Sequence, residues 1–311
     1  LKENPSAMFA RGFGWKALYY GPFLHFLKCL SPRAADATNR WLGRLWGLLR
    51  TPQRARLDRA YANAATVLAV LGSAQNPRRD ELADQSVRML ARDCLIKPNQ
   101  AETRFLVKGF EQVAKLRDSH RPAILLGCHL GAYIPSLQWM YRQGLPLRLL
   151  VQCPNHVSPF LRTRFSVADE PFPQTRMFVR RGMTPQEAAE RMLRARAALR
   201  GGMMMYLCGD IPWPKGRETQ FLGRRRPVQS VWLDLAMETG APVIPVFATF
   251  NREGVHELDF DAPIPVTAGS PQESLDHYFE RLHKLVLRRP EQAWPYWAWP
   301  TYQPSVSHSS L

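Results

Sequence analysis

The chain is 311 residues long and 45% hydrophobic, with 42 basic against 26 acidic side chains for a net charge of +16. That length and apolar content suit one large domain, or a domain with a small appendage, and exclude a disordered chain or a multi-span membrane protein. The charge excess calls for an anionic partner: phospholipid headgroups, nucleic acid, an acidic carrier protein or an acidic ligand.

Phe13 to Leu30 is rich in aromatic residues but interrupted by Lys16, Gly21, Pro22, His25 and Lys28. It is too broken to span a bilayer and reads as a helix lying at headgroup level. Arg40 to Arg50, also aromatic and basic, extends that surface. No cleavable signal peptide is evident, although the first residue is not methionine. Arg56 to Ala74 and Asp80 to Ile96 are two amphipathic helices broken at Asn76-Pro77.

From Arg104 onward the period alternates. Strands are predicted at 104–107, 123–127, 147–152, 176–179, 203–207, 243–249 and 256–260. Helices are predicted at 110–117, 133–142, 159–165, 185–200, 228–238 and 275–287. Thr184 and Glu187 form a capping-box pattern ahead of a core stripe of Ala188, Met192, Ala195 and Leu199. The expected fold class is α/β, a mainly parallel central sheet flanked by helices. An N-terminal helical, membrane-associating segment (1–50) precedes the α/β domain (51–311).

Chemistry concentrates at two predicted strand ends. Pro122-Ala-Ile-Leu-Leu-Gly-Cys-His129-Leu-Gly-Ala-Tyr133 places a histidine between a buried strand and a helix N-terminus. That terminus offers backbone N–H groups, those of Leu130 and Gly131, to developing negative charge. Tyr133, on the first helical turn, is a candidate substrate contact. Asp210, in the loop after 203–207, stands at the same level as His129. It either orients the imidazole, meets a basic group on a substrate, or serves only a turn or a structural ion pair. Gly223, Arg224, Arg225 and Arg226 lie just before a predicted helix and are candidates to grip phosphate or carboxylate. His120, His156, His256 and His283 read as surface or structural. The five cysteines are widely spaced without a CxxC pair, which argues against zinc and disulfides and for a reducing compartment. Cys128 adjoins His129 but points to the opposite side, so it is set aside as a nucleophile.

His129 after its apolar strand, Asp210, Phe221-Leu-Gly-Arg-Arg-Arg-Pro227 and Ala236-Met-Glu-Thr-Gly-Ala-Pro-Val-Ile-Pro-Val-Phe247 together resemble the blocks of the lysophospholipid acyltransferase superfamily. The nearest branch is the bacterial late acyltransferases of lipid A biosynthesis. Arg288-Arg-Pro-Glu-Gln292 with the following tryptophans is similar to the ending of that branch. The resemblance implies a protein at the cytoplasmic face of the inner membrane, associated with anionic phospholipid. It would move an acyl group from an acyl carrier protein or coenzyme A thioester to a lipid acceptor, with His129 as general base. It implies no metal, flavin or nucleotide cofactor and an apolar acyl channel, and Arg164 resembles a family arginine that meets acceptor phosphate or carrier. Nucleic acid is not an expected partner, since no helix-turn-helix, zinc finger or aromatic RNA-binding signature is present.

The family pairs its histidine with Asp or Glu five positions later, whereas this chain has Ile134 there. Three readings follow. Asp210 or another acid supplies the partner from a different loop; an amine acceptor or activated donor needs less help from the base; or binding persists without catalysis. Transfer of an aminoacyl or other non-fatty group from a carrier, and a silent lipid- or carrier-binding homologue, are the alternatives to lipid acylation.

Overall fold

The strand at the centre, β2 (Ala123–Gly127), is buried along its whole length. An unbroken Ala-Ile-Leu-Leu run suits a parallel strand covered on both faces. The computed structural model describes residues 22–27, 29–48, 52–85, 105–131, 133–152, 176–179, 184–251, 253 and 255–298. After helices α1 (Pro32–Leu48) and α2 (Pro52–Val70) and a helical stretch at 79–85 come β1 (Phe105–Lys108), α3 (Phe110–Asp118) and β2. Then follow α4 (Tyr133–Arg142), β3 (Leu147–Gln152), β4 (Arg176–Val179), α5 (Pro185–Arg200) and β5 (Met204–Cys208). The chain continues through β6 (Pro212–Phe221), β7 (Arg224–Val228), α6 (Val231–Thr239), β8 (Val243–Phe250), β9 (His256–Phe260), α7 (Pro271–Arg288) and α8 (Trp294–Ala298).

Seven strands form one sheet in the order β1-β9-β8-β2-β5-β3-β4. β8, β2, β5, β3 and β4 run parallel, while β9 returns antiparallel to β8 and carries β1 with it. The sheet is therefore mixed at one edge and mostly parallel. Residues alternate along β2: Ile124 and Leu126 face a core shared with α2, α5, α6, α7 and α8, and Ala123 and Leu125 face a second core under α3 and α4. The capping box of α5 forms as expected, with Glu187 N–H donating to Thr184 Oγ1 at 3.2 Å and Thr184 N–H to Glu187 Oε2 at 2.9 Å. Ala195 and Leu199 are buried beneath it, whereas Ala188 is exposed.

Several expectations need correction. The stretch 212–228, read as a loop running into a helix, is an antiparallel β6–β7 hairpin, and the helix begins only at Val231. Its turn is Leu222-Gly223, both with positive φ (50° and 74°), the two-residue hairpin geometry that matches strand twist. Of Phe13 to Leu30, the described part contains a helical turn at Leu24–Leu27. Residues 13–21 and 28 of that segment, residues 86–104, the 159–165 helix with Arg164, and His156, Cys94 and Cys153 lie outside the described residues. Among the described residues no helix is long and apolar enough to cross a membrane.

Candidate active site

β2 and β5 are adjacent, parallel and in register, with Gly127 opposite Cys208. The turns that leave them must therefore emerge side by side, and a Gly209 N–H to Gly127 O bond of 2.9 Å carries the pairing one step further. Two residues beyond each strand end stand His129 and Asp210. His129 Nδ1 donates to Asp210 Oδ1 at 2.9 Å, and the His129 backbone N–H donates to Asp210 Oδ2 at 2.8 Å.

The Asp210 carboxylate is fully buried, while the His129 side chain is 19% exposed. Burial by itself would raise the Asp210 carboxyl, but the His129 charge, hydrogen bonds from its ring and the Tyr296 phenol, and the His129 N–H hold it below the usual carboxylate range. An ionised Asp210 is a pure acceptor, so the proton sits on Nδ1 and the Nε2 lone pair is left to act as a base. The edge of Tyr133 meets the imidazole, ring centroids 5.2 Å apart at 71°.

Two glycines make this arrangement possible. A Cβ on Gly127 would come within 2.0 Å of the Tyr206 hydroxyl, which fills the space under the histidine turn. Gly131 has φ 58°, and a Cβ there would lie 2.3 Å from the Ala248 carbonyl O. Tyr278 Oη braces the strand end by donating to Gly127 O at 2.7 Å.

Of the two backbone N–H groups expected to serve an oxyanion, that of Gly131 has a protein partner. Gly131 N–H donates to Gln292 O at 3.3 Å. Gln292 holds this corner rigidly, its amide accepting from Phe250 N–H at 2.9 Å and donating to Phe250 O at 2.6 Å. Arg224, Arg225 and Arg226 form strand β7 instead of a loop before a helix. Arg226 is buried with Nε donating to Phe221 O at 3.4 Å within the hairpin, Arg225 is exposed, and Gly223 makes the turn.

Cys128 is buried, and its thiol is pushed well above its ordinary range by that burial and then by the Asp210 charge. It packs into the core opposite the imidazole and remains a protonated, inert thiol. Cys208 Sγ, a His129 ring nitrogen and an Asp210 oxygen lie within 4.8 Å of one another. Zinc takes these donor types, and both Asp210 oxygens accept hydrogen bonds from His129.

Sequence reasoning missed Tyr296. Its hydroxyl donates to Asp210 Oδ2 at 2.6 Å from α8, 86 residues downstream. The only signal was the aromatic cluster around it, which marked a core element without naming a polar role. Next to Gln292 lies a cavity of about 920 Å³ lined by Arg40, Arg44, Arg78, Arg288 and Arg289 against Glu81, Asp84 and Glu291.

Two comparisons bear on the whole chain. The family model described as bacterial lipid A biosynthesis acyltransferase matches residues 14–299. No curated protein matches the chain.

Proposed function

The chain belongs to the bacterial lipid A biosynthesis acyltransferase family, which implies acyl transfer to a lipid acceptor, and on that premise we propose that His129 is the general base and Asp210 its orienting acid. The observation that carries the proposal is the 2.9 Å bond from His129 Nδ1 to a buried carboxylate. It supplies from β5 the partner that Ile134 cannot provide.

In this route an acceptor hydroxyl gives its proton to His129 Nε2 as its oxygen attacks the carbonyl carbon of an acyl thioester. Asp210 stays ionised and stabilises the imidazolium. The tetrahedral intermediate then expels the thiolate, which takes the proton back from the ring, leaving acylated lipid and free thiol. The donor is a carrier-protein or coenzyme A thioester. The arginine-lined cavity beside Gln292 favours an acceptor bearing anionic groups.

Access to a lipid substrate fits a protein resting on an anionic membrane, at the cytoplasmic face of the inner membrane. Trp41, Leu45 and Leu48 are exposed on α1 at four- and three-residue spacing, beside Arg44. Such a stripe suits insertion at headgroup level.

The test is a transfer assay with purified protein, carrier-protein and coenzyme A acyl thioesters, and a lipid A precursor in mixed micelles. Product from the wild type and none above background from His129→Ala is the expected result; equal product from both removes the assignment. Mass spectrometry of the carrier-bound group separates fatty from aminoacyl donors.

A further inference from the structure

We propose that Tyr296 is a positioning residue for the acyl transfer, its phenol fixing the Asp210 carboxylate so that His129 keeps one tautomer and one orientation; this rests on the His129–Asp210 reading above. Among the described residues, three donors meet the two Asp210 oxygens. Oδ1 takes the His129 Nδ1–H, and Oδ2 takes both the His129 backbone N–H at 2.8 Å and the Tyr296 hydroxyl at 2.6 Å. A buried carboxylate with a vacant lone pair could rotate or take up a proton. A protonated Asp210 would donate to Nδ1 and move the ring proton to Nε2, which abolishes the base. By donating to Oδ2, Tyr296 disfavours both outcomes.

The phenol is rigidly placed. Tyr296 is fully buried, its ring meets Phe221 edge-on at 5.3 Å, and its backbone N–H donates to Ala293 O at 2.9 Å. The next residue, Trp297, donates from Nε1 to Pro290 O at 2.7 Å, and its carbonyl accepts from Asn63 Nδ2 of α2 at 3.0 Å. The groups facing Asp210 are thus His129, Tyr296 and Cys128, with Tyr206, Tyr278 and Cys208 nearby. Among them only His129 is a basic side chain. The Tyr296 hydroxyl gives Oδ2 a donor without a second cation.

The decisive variant is Tyr296→Phe, which keeps the ring and removes one oxygen. The expected result is a kcat lowered about ten- to a hundredfold with KM within twofold of wild type. In the Asp210→Asn background the same change should cost less than threefold, because there is no carboxylate left to position. A purely structural role predicts equal losses in both backgrounds and overturns the proposal. A second readout needs no activity: the downfield proton resonance of the His129 Nδ1–H should shift in Tyr296→Phe, and an unmoved resonance with unchanged kcat also overturns it. Full activity in Tyr296→Phe with none in His129→Ala sinks this proposal alone. Full activity in His129→Ala sinks the reading beneath it.

Discussion

His129 and Asp210 are 81 residues apart in sequence and 2.9 Å apart in space, whereas Arg224, Arg225 and Arg226 are sequence neighbours with divided fates. The first pair leaves the ends of two adjacent parallel strands, where register alone brings the turns together. The triplet sits within a strand, where side chains alternate, so Arg226 is buried and Arg225 stands in solvent. Strand ends in a parallel sheet gather distant residues at one rim, and strand interiors scatter adjacent ones. Local density of charge is thus a poorer guide to a site than position at a strand end.

This contrast can be broken by substitution. The largest effect belongs to His129→Ala, expected to lower kcat/KM about 10⁴-fold, while Arg225→Ala stays within threefold of wild type; paired steady-state assays check both. Next comes stability beneath the site. Gly127→Ala drives a methyl to within 2.0 Å of the Tyr206 hydroxyl and should cost about 1–3 kcal/mol in urea unfolding. Arg226→Ala loses a bond to Phe221 O inside the hairpin and should cost about 1 kcal/mol with little change in kcat. The smallest effect concerns pH. Because Asp210 is held below its ordinary carboxylate range in the folded protein, its contribution is complete above the unfolded value of about 3.9. It is lost as pH falls through the lower folded value. Unfolding free energies of wild type and Asp210→Asn should therefore converge below about pH 4, and a constant difference would contradict the assignment.

Much of this rim was legible in the sequence. An apolar run such as Ala123 to Leu126 announces a buried strand, and a polar residue just past it announces a strand end, so His129 and Asp210 could both be set at one level. Their contact could not, because strand order is a long-range property that no local period encodes. The β6–β7 hairpin was hidden for a different reason: Pro212, Pro214 and Gly216 read as loop residues, and Leu222-Gly223 lacks the Asn-Gly or Asp-Gly signal of a tight turn. Tyr296 was invisible because a tyrosine among tryptophans looks apolar until its hydroxyl is seen to meet a carboxylate. Sequence also could not show that the Gly131 N–H, one of the two expected to face an oxyanion, donates to Gln292 O.

On the proposed reading a chain with Ile134 keeps an acid partner for its histidine. An acid five residues along the chain and an acid in the turn after the neighbouring strand are two ways to reach one imidazole nitrogen. On the proposed reading, sheet register and the C-terminal segment that supplies Tyr296 position the base.

The central claim is that Asp210 does the work of the missing helical acid, and single-turnover acyl transfer by Asp210→Asn tests it most directly. The account predicts a fall of about three to four orders of magnitude in the chemical step, with thioester binding unchanged. A rate within tenfold of wild type would contradict it.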